Sequence, residues 1–67
     1  MTTIDARGMR CPWPAIRLAK ALRERSAQVR LWADDPAAPR ELALVAAAAG
    51  ATIWTVEPHL FHVEIAG

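Results

Sequence analysis

The stretch RGMRCPWP at residues 7–14 separates two different periodicities in this chain of 67 residues. Before it, TTIDA at residues 2–6 is a short candidate strand with Ile4 pointing inward. After it, from Pro12 to about Arg25, apolar residues follow the 3.6-residue period of a helix. Because Gly8 can adopt backbone angles that are closed to other residues, RGMR at 7–10 predicts a turn that leads from a strand into a helix.

Two helices are predicted, and each has a buried apolar stripe. The stripe of the first helix is Ala15, Leu18, Ala19 and Leu22, and that of the second is Leu42, Val45, Ala46 and Ala49. The second helix follows the loop DDPAAPREL at 34–42, where we expect Asp34 or Asp35 to cap and Pro36 to take the first helical position. Gly50 is a suitable C-terminal stop, and Leu44 lies off the stripe.

The segment QVRLWA at 28–33 alternates as a strand does. Val29 and Leu31 are expected to face the core, which places Arg30 and Trp32 on the opposite face. This strand separates the two helices, so the chain contains strand–helix–strand units, which favour parallel neighbours and right-handed crossovers.

The last two β-rich runs, ATIWTVE at 51–57 and LFHVEIA at 60–66, are joined by Pro58 and His59 and predict a hairpin. The order β-α-β-α-β-β predicts an α+β fold: an α/β two-layer sandwich with a mixed four-stranded sheet and both helices on one face. The other face of the sheet is expected to be partly exposed to solvent. The length allows one domain, residues 1–67.

Composition excludes several classes of protein. The net charge of +1 is too balanced to indicate nucleic-acid binding. The first half is cationic, which fits either a solvated helix face or a docking surface for an acidic partner or RNA. The start of the chain lacks the apolar core of a signal peptide, and no apolar run is long enough to span a bilayer. One cysteine fits a reducing compartment, so we expect a soluble cytoplasmic protein without membrane contact. We also expect it to be a monomer.

Cys11 is the candidate reactive residue. We place it at the N-cap of the first helix, with Pro12, Trp13 and Pro14 as the first three helical positions. The helix start then favours the thiolate, although only slightly. Arg7 and Arg10 would lower the thiol pKa further if they folded back toward the sulfur, and the pattern predicts a modestly activated nucleophile.

The absence of a second cysteine narrows the chemistry of this thiol. A thiol oxidoreductase normally needs a resolving cysteine, whereas a lone thiolate can hold a sulfur atom as a persulfide without closing an internal disulfide. A lone cysteine in a small domain is nevertheless more often a buried residue that only packs in the core. His59 and His62 are expected to be ordinary histidines, because residues three apart in a strand face opposite sides and make a poor metal site.

The motif DARGMRCPWP from Asp5, with Lys20 in the first helix and DDPA at 34–37, resembles the TusA/SirA-like family of small sulfur carriers. The resemblance implies sulfurtransferase activity on the family's βαβαββ sandwich, with Cys11 as the catalytic, persulfide-bearing residue. Arg7, Gly8, Arg10, Pro12, Trp13, Pro14 and Asp34 are then the residues expected to shape its loop.

The resemblance also implies partners. A cysteine desulfurase or a rhodanese-type protein would donate sulfur, and an acceptor protein would pass it to tRNA 2-thiolation, molybdenum-cofactor enzymes or sulfur oxidation. No metal, no cofactor besides the covalent sulfur and no direct nucleic-acid binding are expected. Trp13 stands where many relatives have Glu or Leu, which bears on partner choice. Two other functions stay open: a regulatory or protein-interaction module with an incidental thiol, and a single-cysteine redox sensor.

Overall fold

A computed structural model describes residues 2–24 and 26–65 and shows the predicted order of six elements. They are β1 (Thr2–Asp5), α1 (Trp13–Arg23), β2 (Gln28–Trp32), α2 (Ala38–Ala48), β3 (Ala51–Glu57) and β4 (Leu60–Ile65). The predicted end of the first helix at Arg25 and that of the last strand at Ala66 lie outside the described residues. The predicted fold class is confirmed.

The four strands form one mixed sheet in the order β1-β2-β4-β3. β1 runs parallel to β2, and β4 runs antiparallel to both β2 and β3. The second strand–helix–strand unit therefore does not place its strands side by side as the sequence favoured, because β4 lies between β2 and β3. All of residues 60–63 are buried, so an interior position suits β4 better than an edge. β3 becomes the outer strand, and its register with β4 is irregular between Thr55 and Glu57.

Both helices pack on one face of the sheet. The largest fully buried side chains belong to both layers and are Leu18, Leu31, Leu42, Val29 and Val63. The predicted inward residues of β2 are thus confirmed. The prediction for Ala49 is wrong: α2 ends at Ala48, and Ala49 is an exposed C-cap residue beyond the last packed turn.

The start of α2 differs from the prediction. Pro36 lies before the helix, whose N-cap is Ala37 and whose first turn contains Pro39. Proline loses no hydrogen bond there, because the amides of a first turn have no partner within the helix. Asp35 acts just upstream, where its Oδ1 accepts a hydrogen bond from the Ala37 N–H at 2.8 Å.

The side of the sheet away from the helices is called the open face. Register places Thr3, Arg30, His62 and Trp54 in one row across it. The expectation of a partly exposed face holds for Thr3 and Trp54, which are exposed. His62 is buried, although neither α1 nor α2 covers this side.

Two leucines of α2 provide a matched test of the packing. Leu42 is 0% exposed and Leu44 is 60% exposed. We expect Leu42→Ala to lower the free energy of unfolding by about 2–5 kcal/mol, because it leaves a cavity in the core. Leu44→Ala should change it by about 0.5 kcal/mol or less. Urea denaturation followed by far-UV circular dichroism measures both, and equal losses would contradict this packing.

Candidate functional site: the Cys11 loop

Cys11 is exposed in the loop between β1 and α1. The loop begins where the Ala6 N–H donates to the Trp32 carbonyl at 2.7 Å, and it turns where the Met9 N–H donates to the Ala6 carbonyl at 3.1 Å. Gly8 has φ of 82°, in the left-handed region that favours glycine, so the predicted turn and its glycine are confirmed. The peptide bond between Cys11 and Pro12 is cis.

Two consecutive aspartates after β2 hold this loop. Asp34 Oδ1 accepts a hydrogen bond from the Gly8 N–H at 2.9 Å, and Asp35 Oδ2 accepts one from the Cys11 N–H at 3.3 Å. The other oxygen of Asp35 binds the Ala37 N–H, so one carboxylate joins the Cys11 loop to the entry of α2. The resemblance implies a role for Asp34, whereas the sequence predicts only a capping role for Asp35, because spacing alone does not show which loop this carboxylate faces.

Arg7 does not fold toward the sulfur. Its guanidinium forms an ion pair with Asp5, with Nε 3.0 Å from Oδ1 and Nη2 2.9 Å from Oδ2, and it lies 4.9 Å from the centre of a Trp32 ring. Hydrogen bonds from Arg7 lower the pKa of Asp5 to about 2, and the same pairing raises the pKa of Arg7. Arg7 therefore anchors the start of the loop to the edge of the open face.

The helix begins one residue later than predicted. Pro12 is the N-cap, and α1 starts at Trp13 with Pro14 in its first turn. The Trp13 N–H donates to the Arg10 carbonyl at 2.9 Å, and the Ile16 N–H donates to the Pro12 carbonyl at 3.0 Å. Cys11 thus precedes the helix instead of capping it, and the Trp13 amide is already bonded to backbone.

The expected activation of the thiol is wrong for the isolated protein. The pKa of Cys11 is raised, first because neighbouring atoms remove part of the hydration of the thiol, although the residue is exposed. The Glu41 carboxylate, through its charge and a hydrogen bond, and the charge of Asp35 raise the pKa of Cys11 further. Sequence reasoning missed Glu41 because it lies on α2, far from Cys11 along the chain.

Two exposed apolar side chains lie on α1, soon after Cys11 in the chain. Trp13 is 59% exposed and Ile16 is 47% exposed. Both line a shallow groove between α1 and β1 that also includes Arg17 and Lys20. A partner that covers Cys11 therefore meets an apolar patch with basic residues beside it.

Within the described residues neither histidine has a hydrogen bond to the Cys11 loop, although His59 lines a cavity with Asp34 and Asp35. His59 is exposed in the β3–β4 turn, with φ of 68°, and its carbonyl accepts a hydrogen bond from the Ala33 N–H at 2.9 Å. His62 is buried on the open face, with Nε2 3.1 Å from Glu64 Oε1. Within residues 2–24 and 26–65, no three His, Cys, Asp or Glu side chains are grouped to hold a metal ion.

The fold and the site together define a class: small βαβαββ domains that present one thiol at the start of the first helix. The family model "Sulfurtransferase TusA" matches residues 2–66, and the chain belongs to this family. A crystal structure of a SirA-like protein from Desulfitobacterium hafniense is similar, with a TM-score of 0.80 and 34% sequence identity over 100% of this chain and 99% of that one. Both findings confirm the resemblance noted in the sequence.

Comparison with curated proteins finds no match. In the part of the chain that the structure describes, no helix has both the length and the apolar character required to cross a bilayer.

The two aspartates allow a reciprocal test of the loop. Asp35→Ala removes the acceptor of the Cys11 and Ala37 amides, so we expect both to exchange faster with D₂O while the Gly8 amide stays protected. Asp34→Ala should speed the exchange of the Gly8 amide alone. Asp35→Ala should also lower the free energy of unfolding by about 1 kcal/mol. Amide exchange by NMR measures protection; faster exchange at all three amides in both variants would contradict separate roles.

Glu41→Gln tests the origin of the raised thiol pKa. Removing an anion beside the sulfur stabilises the thiolate, so the pKa of Cys11 should fall and iodoacetamide should react faster at pH 7.5. Rates measured from pH 6 to 11 by intact mass give the pKa. Glu24→Gln is the control, because Glu24 lies at the other end of α1, about 16 Å along the helix axis. Equal rates in the wild type and Glu41→Gln would contradict the assignment.

Proposed function

We propose that this protein carries sulfane sulfur as a persulfide on Cys11, taking it from a donor protein and giving it to an acceptor. The observation that supports this most directly is an exposed thiol, the only one in the sequence, held in place by two carboxylates. Membership of a sulfurtransferase family points to the same chemistry. The proposed donor is a cysteine desulfurase or a rhodanese-type protein.

Loading is a displacement between sulfurs. Cys11 first loses its proton, and the thiolate attacks the terminal sulfur of the donor persulfide. One S–S bond forms on Cys11 while the S–S bond of the donor breaks, and the donor cysteine leaves as a thiolate. Unloading is a second displacement of the same kind, in which Cys11 is the leaving group. An acceptor thiolate attacks the outer sulfur, and Cys11 leaves as a thiolate. The two steps move one sulfur atom and need no external oxidant or reductant.

The raised pKa of Cys11 keeps the free protein mostly in its thiol form at neutral pH. A donor that brings basic side chains near Glu41 and Asp35 would neutralise these carboxylates and lower the thiol pKa on docking. The apolar residues Trp13 and Ile16 offer such a donor a contact surface. Reactivity would then be coupled to binding of the correct partner.

The raised pKa of Cys11 disfavours the alternative function as a redox sensor. Sensor cysteines combine exposure with a low pKa and often a nearby resolving cysteine. Cys11 has the exposure, but its pKa is raised and the sequence contains no second cysteine. A module with an incidental thiol does not account for the backbone contacts that hold Cys11. We propose a cytoplasmic, monomeric carrier that feeds tRNA 2-thiolation, molybdenum-cofactor or sulfur-oxidation acceptors.

Intact mass spectrometry tests the carrier directly. The protein is incubated with a cysteine desulfurase, pyridoxal phosphate and cysteine, or with a rhodanese and thiosulfate. We expect a gain of about 32 Da, one sulfur atom, that dithiothreitol removes and that Cys11→Ser abolishes.

A relocated thiol serves as the matched control. Ala47 is exposed on α2, so Cys11→Ser/Ala47→Cys presents a thiol on the same domain outside the loop. We expect this variant to load at least about tenfold more slowly than the wild type, since proximity and orientation at the loop are lost. Equal loading would contradict a role for the loop, and no adduct on the wild type with either donor would contradict the carrier.

A further inference from the structure

A groove runs along α1 beside β1, and one of its ends lies next to the Cys11 loop. The side chains that line it include Ile4 on β1 and Trp13, Ile16, Arg17 and Lys20 on α1. Trp13 is the first residue of α1 and follows Cys11 by two residues, which places this end beside the thiol loop. From there α1 extends over 11 residues, or about 16 Å, the length of about five residues of extended chain. The groove therefore has the length to hold a short extended segment.

β1 presents a free strand edge at this groove. It pairs with β2 on one side, and among the described residues no strand pairs with its other side. The Ala6 N–H donates to β2 at the Trp32 carbonyl. Because the backbone groups of successive residues in a strand point to opposite sides within the sheet, those of Thr3 and Asp5 point to the free side. Unpaired backbone groups of this kind are a template for a strand from another chain.

The two outer strands of the sheet are not equivalent as templates. β1 keeps a regular register with β2 over all four of its residues, Thr2–Asp5. The register of β3 with β4 shifts between Thr55 and Glu57, and such an irregularity bends the strand away from a straight partner. The edge of β1 is therefore the one that a second strand can follow over its whole length.

Arg17 and Lys20 make the middle of the groove basic. Both side chains are exposed, and neither takes part in an ion pair within residues 2–24 and 26–65. Glu24 lies one turn beyond Lys20, at the far end of the groove, and does not pair with it. An occupant with acidic side chains therefore meets two cations that no side chain described in the structure neutralises.

The apolar part of the groove favours a polypeptide over RNA. Trp13 and Ile16 are exposed, and Ile4 on β1 is half-buried. RNA backbones are bound chiefly by basic and polar groups, and Glu24 would repel their phosphates. An extended peptide instead offers backbone groups to β1, apolar side chains to the apolar part of the groove and carboxylates to its basic part.

We propose that the groove between α1 and β1 binds an extended segment of the sulfur donor that carries acidic and apolar side chains and that adds to the four-stranded sheet at the edge of β1. This inference rests on the sulfur transfer proposed for Cys11. Apolar side chains of the segment contact Trp13 and Ile16, and its carboxylates pair with Arg17 and Lys20. One end of the bound segment lies beside Cys11, so binding brings the donor to the thiol loop.

The groove also gives the donor a defined orientation. Glu41 and Asp35 belong to α2 and to the loop before it, and no residue of these segments lines the groove. Cys11 therefore lies between a basic surface on the side of α1 and β1 and two carboxylates on the side of α2. A donor with an acidic segment and separate basic side chains fits both surfaces in one orientation, and like charges meet in the opposite one.

NMR titration of the ¹⁵N-labelled protein tests the groove with a synthetic probe, the acetylated and amidated hexapeptide VVEEVV. Its sequence reads the same in both directions, so it can pair parallel or antiparallel with β1. We expect saturable shifts of amide signals on both sides of the groove, at Thr3, Asp5, Trp13 and Ile16. The Thr3 and Asp5 amides should also exchange more slowly with D₂O, because they gain acceptors. The peptide VVKKVV should bind at least about fivefold more weakly, since its lysines meet Arg17 and Lys20.

Two double variants test the charges. Arg17→Gln/Lys20→Gln, the groove variant, should weaken the binding of VVEEVV about fivefold, because two ion pairs of exposed side chains are lost. Arg23→Gln/Arg40→Gln, the control variant, makes the same change in net charge at exposed residues that do not line the groove. It should leave the affinity within about twofold of that of the wild type, because salt screens distant exposed charges.

Thr3→Pro tests the addition of a strand. Proline is tolerated where the N–H of an outer strand faces solvent, so the sheet is retained while the outward donor is lost. Binding of VVEEVV should weaken about fivefold or more. Two peptides N-methylated at alternate residues make the same test on the wild-type protein, whether or not this variant folds. One pattern should abolish binding and the other should retain it, because only every second N–H of an added strand faces β1.

Competition links the groove to the donor. Saturating VVEEVV should slow the loading of Cys11 by the donor enzyme at least about fivefold, measured by intact mass as the gain of about 32 Da. The titration itself needs no sulfur. Peptide binding without any adduct from the donors would therefore contradict the carrier alone, and an adduct without peptide binding would contradict the groove alone.

Four further results would overturn the proposal. Shifts with VVEEVV that do not saturate, equal weakening by the control variant and the groove variant, or full binding of both N-methylated peptides would each exclude strand addition at this groove. Peptide binding that leaves loading unchanged would exclude the donor as the occupant. Hexauridylate that saturates the same amides more tightly than VVEEVV would assign the groove to RNA instead.

Discussion

The placement of the thiol depends on two carboxylates that follow β2. Asp34 and Asp35 accept hydrogen bonds from backbone amides of Gly8 and Cys11, so a loop from the first strand is held by a loop from the second. The sheet brings the two loops together, because parallel strands β1 and β2 end at the same edge. This connection fixes the backbone of the loop at Gly8 and at Cys11.

One of these carboxylates, that of Asp35, also affects the reactivity of the thiol. A negative charge that positions a backbone amide also disfavours a thiolate nearby, and Glu41 adds to this effect from α2. The sequence suggested that the helix start would activate the sulfur, but Cys11 lies before the N-cap residue Pro12, and the loss of hydration and the neighbouring anions raise the pKa of its thiol. In the free protein the backbone of Cys11 is therefore held by a hydrogen bond, while the raised pKa favours the thiol over the more nucleophilic thiolate. A partner that neutralises these carboxylates would lower the pKa of the Cys11 thiol and so increase its reactivity.

The sequence was sufficient for the fold class and the order of elements along the chain, but not for the order of the strands in the sheet. Periodicity predicted the six elements, and the inward residues of β2 were correct because alternation leaves only two faces to choose between. It did not predict that β4 lies between β2 and β3, since hairpin chemistry sets the partner of a strand but not the side on which it returns. The sequence did not predict the ion pair of Arg7 with Asp5 or the effect of Glu41 on Cys11, because both depend on side-chain directions that spacing does not encode.

The register irregularity of β3 between Thr55 and Glu57 has a consequence for how the molecule behaves among its own copies. β3 is one of the two outer strands of the sheet, and outer strands with exposed apolar residues such as Trp54 and Val56 are templates for intermolecular pairing. A bulge bends and twists a strand, so a second straight strand can follow it for only a few residues. The irregular end of β3 thereby limits edge-to-edge aggregation of a domain that leaves one face of its sheet without a helix.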